Sequence, residues 1–127
     1  MNLKVKNIEN PDLDLIINLA KKLNFTNINM SNYKSILEFN DDNNNIVGLI
    51  NYDIHPSMAG KYRVYIRNLY YINNTYIDDI IKSLCKYCRK KHLTIKTILD
   101  TGKFNDKCKE AFYKNDFKGN DIIYYIY

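Results

Sequence analysis

Glycine is scarce in this chain, and the places where it is missing exclude two kinds of nucleotide site. The 127 residues include only four glycines, Gly48, Gly60, Gly102 and Gly119. Because none lies between Gly60 and Gly102, the sequence contains neither a G-x-G-x-x-G fingerprint nor a G-x-x-x-x-G-K-[ST] phosphate loop. P-loop nucleotide enzymes and standard dinucleotide-binding proteins are therefore excluded.

Long apolar runs are also missing. The longest, Ile122 to Tyr127, is far shorter than the roughly 20 residues that a membrane-spanning helix needs. Met1 to Asn10 lacks the apolar core of a signal peptide. We therefore expect a cytoplasmic protein with no membrane partner, whose three cysteines are free thiols.

What is abundant is basic charge in the second half. Residues 1–60 carry 5 lysines and 7 acidic residues, net −2, whereas residues 61–127 carry 14 Lys or Arg and 7 acidic residues, net +7. A basic half can attract the phosphates of a nucleic acid or of a small nucleotide-bearing ligand. The alternative interpretation is a solvated lysine face.

Hydrophobic spacing and turn residues predict one domain, 1–127, with the order β-α-β-β-β-α-β-α-β. Strands alternating with helices near the C-terminal end imply at least one parallel strand pair. The predicted strands are Leu3–Ile8, Tyr33–Phe39, Asn45–Ile54, Tyr62–Ile72, Ile95–Leu99 and Asp121–Tyr127. Residues 24–32 read as a polar connection.

The long strand Tyr62–Ile72 carries bulky residues on both faces, which predicts a central position in the sheet. Simple alternation places Val64, Ile66 and Asn68 on one face and Arg67 and Leu69 on the other. After this strand, Thr75 is expected to cap a helix, with Asp78 three residues on as its capping-box partner. The apolar stripe of that helix is Ile77, Ile80, Ile81, Leu84 and Cys88.

Three segments carry a family resemblance. The first is Ile36–Phe39, followed by a polar turn and Asn45–Ile50, and the second is Tyr65–Tyr71. The third is Asn105–Phe117, which is similar to N-x-x-A-x-x-F-Y-x-K-x-G-F. Together with the element order, they make the chain resemble the GNAT superfamily of N-acetyltransferases over nearly its whole length. The resemblance implies an α/β (α+β) fold with a mixed central sheet of about six strands flanked by about three helices.

The same resemblance implies an activity and a site. The expected activity is transfer of an acetyl group from acetyl-CoA, the implied cofactor, to an unidentified small-molecule or protein amine. The amide edge at Leu69–Tyr71 would hold the pantetheine arm, the turn at Asn74–Ile77 would face the pyrophosphate, and Asn105 would contact CoA. The cofactor-binding residues so implied are Leu69, Tyr70, Tyr71, Asn74, Thr75, Tyr76, Ile77 and Asn105.

The turn before the helix departs from the family pattern, and this leaves a second interpretation open. The family writes [QR]-x-x-G-x-[GA] here, because a phosphate must approach the backbone closely. This chain has no glycine in the turn and places Asp78 and Asp79 at the positive end of the helix. The missing glycines and the acidic helix start favour a second interpretation, a catalytically inactive GNAT-fold binding or regulatory module, in which Thr75 and Asp78 would satisfy the helix N–H groups themselves as a cap.

The late helix also leaves its proton donor open. Aligned without gaps, the family tyrosine that protonates the departing CoA thiolate corresponds to Phe112, which has no proton to give. In a register shifted by one residue, Tyr113 takes this role, and it is our candidate for the catalytic residue. Candidates for the base that deprotonates the amine are Glu38, Asp53 and His55.

Two further patterns are set aside as sites. The run Cys85-x-x-Cys88-x-x-x-His92 has no second cysteine pair, and Cys88 belongs to the apolar stripe, so no metal is expected. Tyrosines interleaved with arginines at Tyr62–Arg67 could stack on bases, but they also suit a packed strand. We do not expect a nucleic-acid partner, and a tyrosine-rich sheet face is instead a possible homodimer interface.

Overall fold

The chain folds into a seven-stranded sheet with helices on both faces. The computed structural model describes residues 2–24, 35–57, 60–99 and 102–127. The predicted connection at 24–32 and the start of the second predicted strand fall largely outside these residues. The elements are β1 (Lys4–Glu9), α1 (Leu13–Lys22), β2 (Ser35–Asn40), β3 (Ile46–Pro56), β4 (Tyr62–Tyr71), α2 (Ile77–Lys90), β5 (Leu93–Ile98), α3 (Asp106–Lys114), β6 (Lys118–Gly119) and β7 (Ile122–Tyr125).

The sheet is mixed and β4 is its middle strand. Its order is β1-β2-β3-β4-β5-β7-β6. In the described part of the chain, β4 and β5 form the parallel pair and the other neighbours are antiparallel. The predicted fold class, the element order and the central place of Tyr62–Tyr71 are therefore confirmed. The two-residue strand β6 was not predicted. So short a segment cannot show the alternation of apolar and polar residues by which a strand is recognised.

Two cores lie on opposite faces of the sheet. On one face α1 packs Ile16, Leu19 and Leu23 against Ile36 of β2 and Leu49 of β3. On the other face α2 and α3 cover the larger core. The predicted stripe of α2 is confirmed, since each of its five residues is at most 2% exposed. Burial on this scale, rather than intrinsic helix propensity, holds α2 in place.

The predicted alternation along β4 is wrong beyond Ile66. Asn68 lies opposite Asn51 and Ile66 lies opposite Tyr52, so Arg67 is an extra residue on β4, a β-bulge. Because each residue turns the side chain to the other face, one extra residue reverses the phase. Leu69 therefore joins Ile66 in the core under α2, and Asn68 turns to the opposite face, where it bonds Asn51.

At the bulge, β4 and β5 separate. Their last paired residues are Ile66 and Thr97. Thr97 is fully buried, and its hydroxyl donates to the carbonyl oxygen of Ile66 over 3.0 Å. The next residue of β5, Ile98, pairs with Ile122 of β7. Among the described residues, the stretch from Asn68 to Tyr71 therefore pairs with β3 on one side and with no strand on the other.

No helix among the described residues is long and apolar enough to cross a membrane. The cytoplasmic location stays a prediction.

Gly48 sits under α2, where a side chain would disturb the packing. A Cβ atom there would lie 2.4 Å from Cδ1 of Ile80 and 3.3 Å from the carbonyl oxygen of Tyr70. Ile80 is fully buried, so it has little room to move. We expect Gly48→Ala to lower the free energy of unfolding by about 1–3 kcal/mol in urea denaturation. Ile80→Val in the same background should recover part of the loss. An unchanged midpoint for Gly48→Ala would contradict the packing described.

Candidate functional site

A cavity of about 430 Å³ opens where β4 and β5 part. It is lined by the end of β4 and by the loop that precedes α3, namely Leu69, Tyr70, Tyr71, Gly102, Lys103, Phe104 and Asn105. Four of the residues predicted for cofactor binding, Leu69, Tyr70, Tyr71 and Asn105, are thus brought together. These residues come from two segments that are more than thirty residues apart in the sequence. The two segments meet at the cavity beyond the last paired residues of β4 and β5.

The backbone of β4 turns part of its hydrogen-bonding edge toward this cavity. Ile72 N–H donates to Val47 C=O of the neighbouring segment, and peptide groups of antiparallel strands alternate between facing the partner and facing away. Tyr70 and Asn68 therefore direct their peptide groups to β3. Leu69 and Tyr71 direct theirs to the side from which β5 has departed. The cavity wall offers donors and acceptors in the pattern that an added extended chain can use.

Asn105 joins α3 to β4 across the cavity. Its side-chain oxygen accepts from Cys108 N–H over 2.9 Å as the N-cap of α3. Its amide nitrogen donates to the Tyr71 hydroxyl over 2.7 Å. Burial, reinforced by the adjacent Cys108, raises the pKa of Tyr71 above its ordinary value. The phenol is therefore protonated at neutral pH and keeps its O–H as a donor at the cavity wall.

A second, smaller cavity of about 250 Å³ lies between the start of α2 and α3. Its lining includes Asn74 and Ile77, two more of the predicted cofactor-binding residues. The other lining residues are Asp78, Lys107, Glu110, Ala111 and Lys114. Two cations face two carboxylates here, so this cavity is close to neutral overall.

The predicted capping box at the start of α2 is wrong. A 3-10 turn, Asn74–Tyr76, runs directly into α2, and Asn73 caps that turn by accepting from Thr75 N–H over 3.0 Å. The Thr75 hydroxyl donates to the same Asn73 oxygen. The residue before α2 is Tyr76, which makes no side-chain cap hydrogen bond. The sequence did not indicate this arrangement. Thr75 and Asp78 have the spacing of a capping box, but Thr75 lies within the 3-10 turn and does not cap α2.

Asp78 is held by α3 instead. It accepts from the Asn115 amide over 2.9 Å and pairs with Lys82 at 3.1 Å and Lys114 at 3.9 Å. Burial alone would raise the pKa of this carboxyl, but the hydrogen bonds from Asn115 and Lys82 and the two lysine charges lower it below its ordinary value. Its negative charge is therefore matched within the protein, and it opposes an incoming anion less than the sequence suggests.

The remaining predicted cofactor residues lie elsewhere. Tyr76 lines a third cavity, of about 480 Å³, beside Asn73, Ile72 and the start of β3. Thr75 is exposed and is engaged with Asn73. The predicted turn Asn74–Ile77 is therefore divided between two cavities: Asn74 and Ile77 line the cavity beside α3, and Tyr76 lines the cavity at the start of β3.

Phe112 and Tyr113 have different surroundings. Phe112 is fully buried and packs edge-on against Phe104 and Phe117. Tyr113 is 45% exposed, and its hydroxyl donates to Gly119 C=O over 3.0 Å. Tyr113 does not line the cavity at Leu69–Tyr71. The assignment of Tyr113 as proton donor stays a prediction.

The three candidate bases are spread over two strands. Asp53 and His55 lie on β3, and Asp53 accepts from the Nε of Arg67 at the bulge. His55 is exposed and stacks on Tyr65, with ring centres 5.3 Å apart. Glu38 lies on β2 and accepts from Asn40 over 3.2 Å. Of the three, Asp53 is nearest to the point where β4 and β5 separate, because its partner Arg67 is the first residue past that point.

The cysteines behave as core residues. Cys85, Cys88 and Cys108 are buried free thiols, and burial raises the pKa of Cys85 and of Cys88 to about 12. Within the described ranges, no cluster of three His, Cys, Asp or Glu side chains could hold a metal ion. The predicted free thiols are confirmed.

Sequence reasoning missed the loop that closes the cavity and the arginine at the bulge. Gly102, Lys103 and Phe104 all line the cavity, and Gly102 has a φ of 73° that favours glycine. The sequence did offer a signal for this loop, because Gly102 is one of only four glycines and lies shortly before the N-cap of α3. Arg67 had no such signal, because a bulge cannot be read from an alternating strand.

Comparison with known proteins decides the fold family. No protein-family model and no curated protein matches the sequence. Solved structures do match, among them a putative N-acetyl transferase, YhhK from E. coli, bound to coenzyme A. It has a TM-score of 0.61 and 12% identity over 98% of this chain and 97% of that one. Naa50 of Arabidopsis thaliana, in complex with a bisubstrate analogue, has a TM-score of 0.60 and 16% identity over 100% of both chains. The chain has the GNAT fold.

Not every match extends over the whole partner chain. A protein from Thermus thermophilus matches with a TM-score of 0.52 and 9% identity over 67% of this chain and 63% of that one. At such identities the shared feature is the GNAT fold, so the activity has to be argued from the residues of this chain.

The two roles of Asn105 can be separated by substitution. Asn105→Ala removes both the cap and the bond to Tyr71, and should lower the free energy of unfolding by about 0.5–2 kcal/mol. Asn105→Asp keeps the cap acceptor but cannot donate to the Tyr71 hydroxyl. We therefore expect Asn105→Asp to fall between wild type and Asn105→Ala in urea denaturation. Equal stability of wild type and Asn105→Ala would show that Asn105 does not cap α3.

Proposed function

We propose that the protein is an acyl-CoA-dependent N-acetyltransferase that transfers the acetyl group of acetyl-CoA to an amine. The observation that carries the proposal is the cavity between the separated strands β4 and β5. Its wall presents the outward peptide groups of Leu69 and Tyr71. The proposal is supported by the GNAT fold and by the coenzyme A bound to the similar E. coli structure.

The donor would lie along the open side of β4. A pantetheine arm contains two amide groups and can add to Leu69 and Tyr71 as an extended chain adds to a strand edge. Asn105 and the Tyr71 hydroxyl would contact it from the side of α3. The pyrophosphate would then fall near Asn74 and Ile77, at the positive end of α2.

The electrostatics of the phosphate end are unusual for such a site. Lys107 and Lys114 line the cavity beside Asn74 and Ile77, and Asp78 is neutralised by Lys82 and Lys114. Because Asp78 and Glu110 line the same cavity, these lysines would supply little net attraction for a phosphate in place of the missing glycine loop. We therefore expect acetyl-CoA to be held chiefly through its pantetheine arm.

The chemistry would be direct transfer. The amine nitrogen attacks the thioester carbonyl carbon, the C–S bond breaks, and the sulfur leaves as a thiolate that must be protonated. Tyr113 is the residue proposed to give this proton, since Phe112 cannot. To do so, the Tyr113 hydroxyl would have to break its hydrogen bond to the Gly119 carbonyl and donate to the sulfur instead.

A second candidate function is an inactive binding or regulatory module. It is favoured by the glycine-free turn at residues 72–77 and by Asp78 and Asp79 at the start of α2. Such a module would retain the fold and lose the cofactor. A homodimer and a protein amine as the acceptor also stay open proposals.

Calorimetric titration with acetyl-CoA tests the first function against the second. We expect binding, and we expect Lys103→Trp to weaken it at least tenfold, because an indole at this lining position fills the cavity. Lys61→Trp is the matched control, since Lys61 is exposed and precedes the opposite end of β4. No heat and no thermal shift at millimolar acetyl-CoA would leave only the inactive module.

The proton donor is tested separately. We expect Tyr113→Phe to lower kcat by about 10²-fold, as the loss of a general acid does, and to leave the affinity for acetyl-CoA unchanged. The change also removes a hydrogen bond to Gly119, so the stability of the variant must be measured alongside. An unchanged kcat would remove Tyr113 from the mechanism.

A further inference from the structure

The bulge in β4 marks where the reacting end of the donor would lie, and the following inference rests on the proposed function. If the pyrophosphate sits at the start of α2 and the arm runs back along β4 past Tyr71 and Leu69, the thioester reaches the residues where β4 and β5 meet. Those residues are Ile66 and Thr97, with Arg67 directly after them. The groups around Arg67 are therefore the ones an acceptor amine would meet.

Arg67 is an oriented and partly exposed cation. It makes an ion pair with Asp53 through its Nε atom, and the side chains of Arg67 and Asp53 are 36% and 16% exposed. A guanidinium has five N–H donors in a planar fork, and this contact uses one of them. Asp53 thus fixes the direction of the guanidinium, as a supporting carboxylate does, while the remaining donors suit a planar anion such as a carboxylate or phosphate.

The same face of the sheet holds a buried polar group that lacks a partner. Asn51 is 1% exposed, and its amide nitrogen donates to the side-chain oxygen of Asn68 over 3.3 Å. Its own side-chain oxygen has no hydrogen-bond partner in the described part of the chain. A buried acceptor without a donor costs free energy. An ammonium or a water that donates to it would remove that cost, and Asn51 lies directly opposite the residue after Arg67.

The surroundings of Arg67 on this face are positive overall. The register places Arg63 and Tyr65 of β4 beside Thr94 and Lys96 of β5. Arg63 donates to the Thr94 hydroxyl over 3.3 Å and lies 5.0 Å from the ring centre of Tyr124. On this face of β2 to β5, Arg63, Arg67 and Lys96 are set against Asp53 and Glu38, which gives three positive and two negative charges, a net +1. This potential attracts anions and repels polycations.

We propose that the acceptor is an amine that also carries an anionic group, a carboxylate or a phosphate, and that Arg67 binds this group. The amine nitrogen would face the thioester. The side-chain oxygen of Asn51 would lie near this nitrogen, beside Arg67 and Asp53. Arg67 would determine which amine is accepted and would not take part in the proton transfers. Polyamines and other multiply cationic acceptors would be disfavoured.

The test compares two acceptors of equal chain length that differ in one end group. γ-Aminobutyrate carries an amine and a carboxylate, whereas putrescine carries two amines, and phosphoethanolamine serves as the phosphate probe. We expect isothermal titration, with and without acetyl-CoA, to show wild-type protein binding γ-aminobutyrate or phosphoethanolamine at least tenfold more tightly than putrescine. Which anionic probe binds more tightly identifies the anionic group.

Substitution then assigns the preference to Arg67. We expect Arg67→Gln and Arg67→Lys to weaken binding of the anionic probe by about 10- to 100-fold and to leave the affinity for acetyl-CoA unchanged. Because Arg67→Gln leaves Asp53 unpaired, Arg67→Gln with Asp53→Asn is the variant to use if the single change does not fold. Arg89→Gln, an exposed arginine near the end of α2, is the matched control.

Three outcomes overturn the inference, and each is distinct from failure of the proposed function. They are tighter binding of putrescine than of either anionic probe, no binding of either anionic probe at millimolar concentration, and anion binding that the Arg67 variants leave unchanged. Absence of acetyl-CoA binding would instead count against the proposed function. Binding of the anionic probe that depends on Arg67 without acetyl-CoA would then still establish the anion site.

Discussion

The separation of β4 from β5 after Ile66 and Thr97 is the constraint on which the rest of the site depends. Before this pair the strands share hydrogen bonds, and after it β5 continues to pair with β7. A strand edge without a partner is costly inside a protein. Here the cavity lined by Leu69, Tyr71 and Asn105 keeps that edge accessible. The fold thereby creates a place where an extended ligand can complete the sheet.

The bulge at Arg67 connects the two faces of this site. One additional residue reverses the phase of β4, so Leu69 enters the core under α2 and Asn68 turns to the opposite face. The same residue sends its guanidinium to Asp53. A regular strand would put Leu69 on the face that carries Asn51 and would remove it from the core under α2. The proposed donor and acceptor regions are thus adjacent because of a single local irregularity.

How far the site could be predicted differs from residue to residue. Asn105 was predictable, because an N-cap depends on local spacing and its side chain meets its own helix. Leu69, Tyr70 and Tyr71 were predictable only through a family resemblance. Thr75 was wrongly predicted as a cap because it lies within the 3-10 turn that precedes α2, and Asn73 caps that turn. Lys103 and Arg67 escaped prediction, since neither a cavity wall nor a bulge leaves a periodic signal.

The sequence by itself determined the apolar stripe of α2 and the order of helices and strands, which is the order that a GNAT-like sheet requires. These properties follow from interactions between residues a few positions apart, which spacing records. Only the tertiary structure decided that β4 carries a bulge, that Asp78 is neutralised by Lys82 and Lys114, and that Leu69 shares a cavity with Asn105. Each of these features depends on contacts between different helices and strands. Such contacts produce no periodic pattern in the amino-acid sequence.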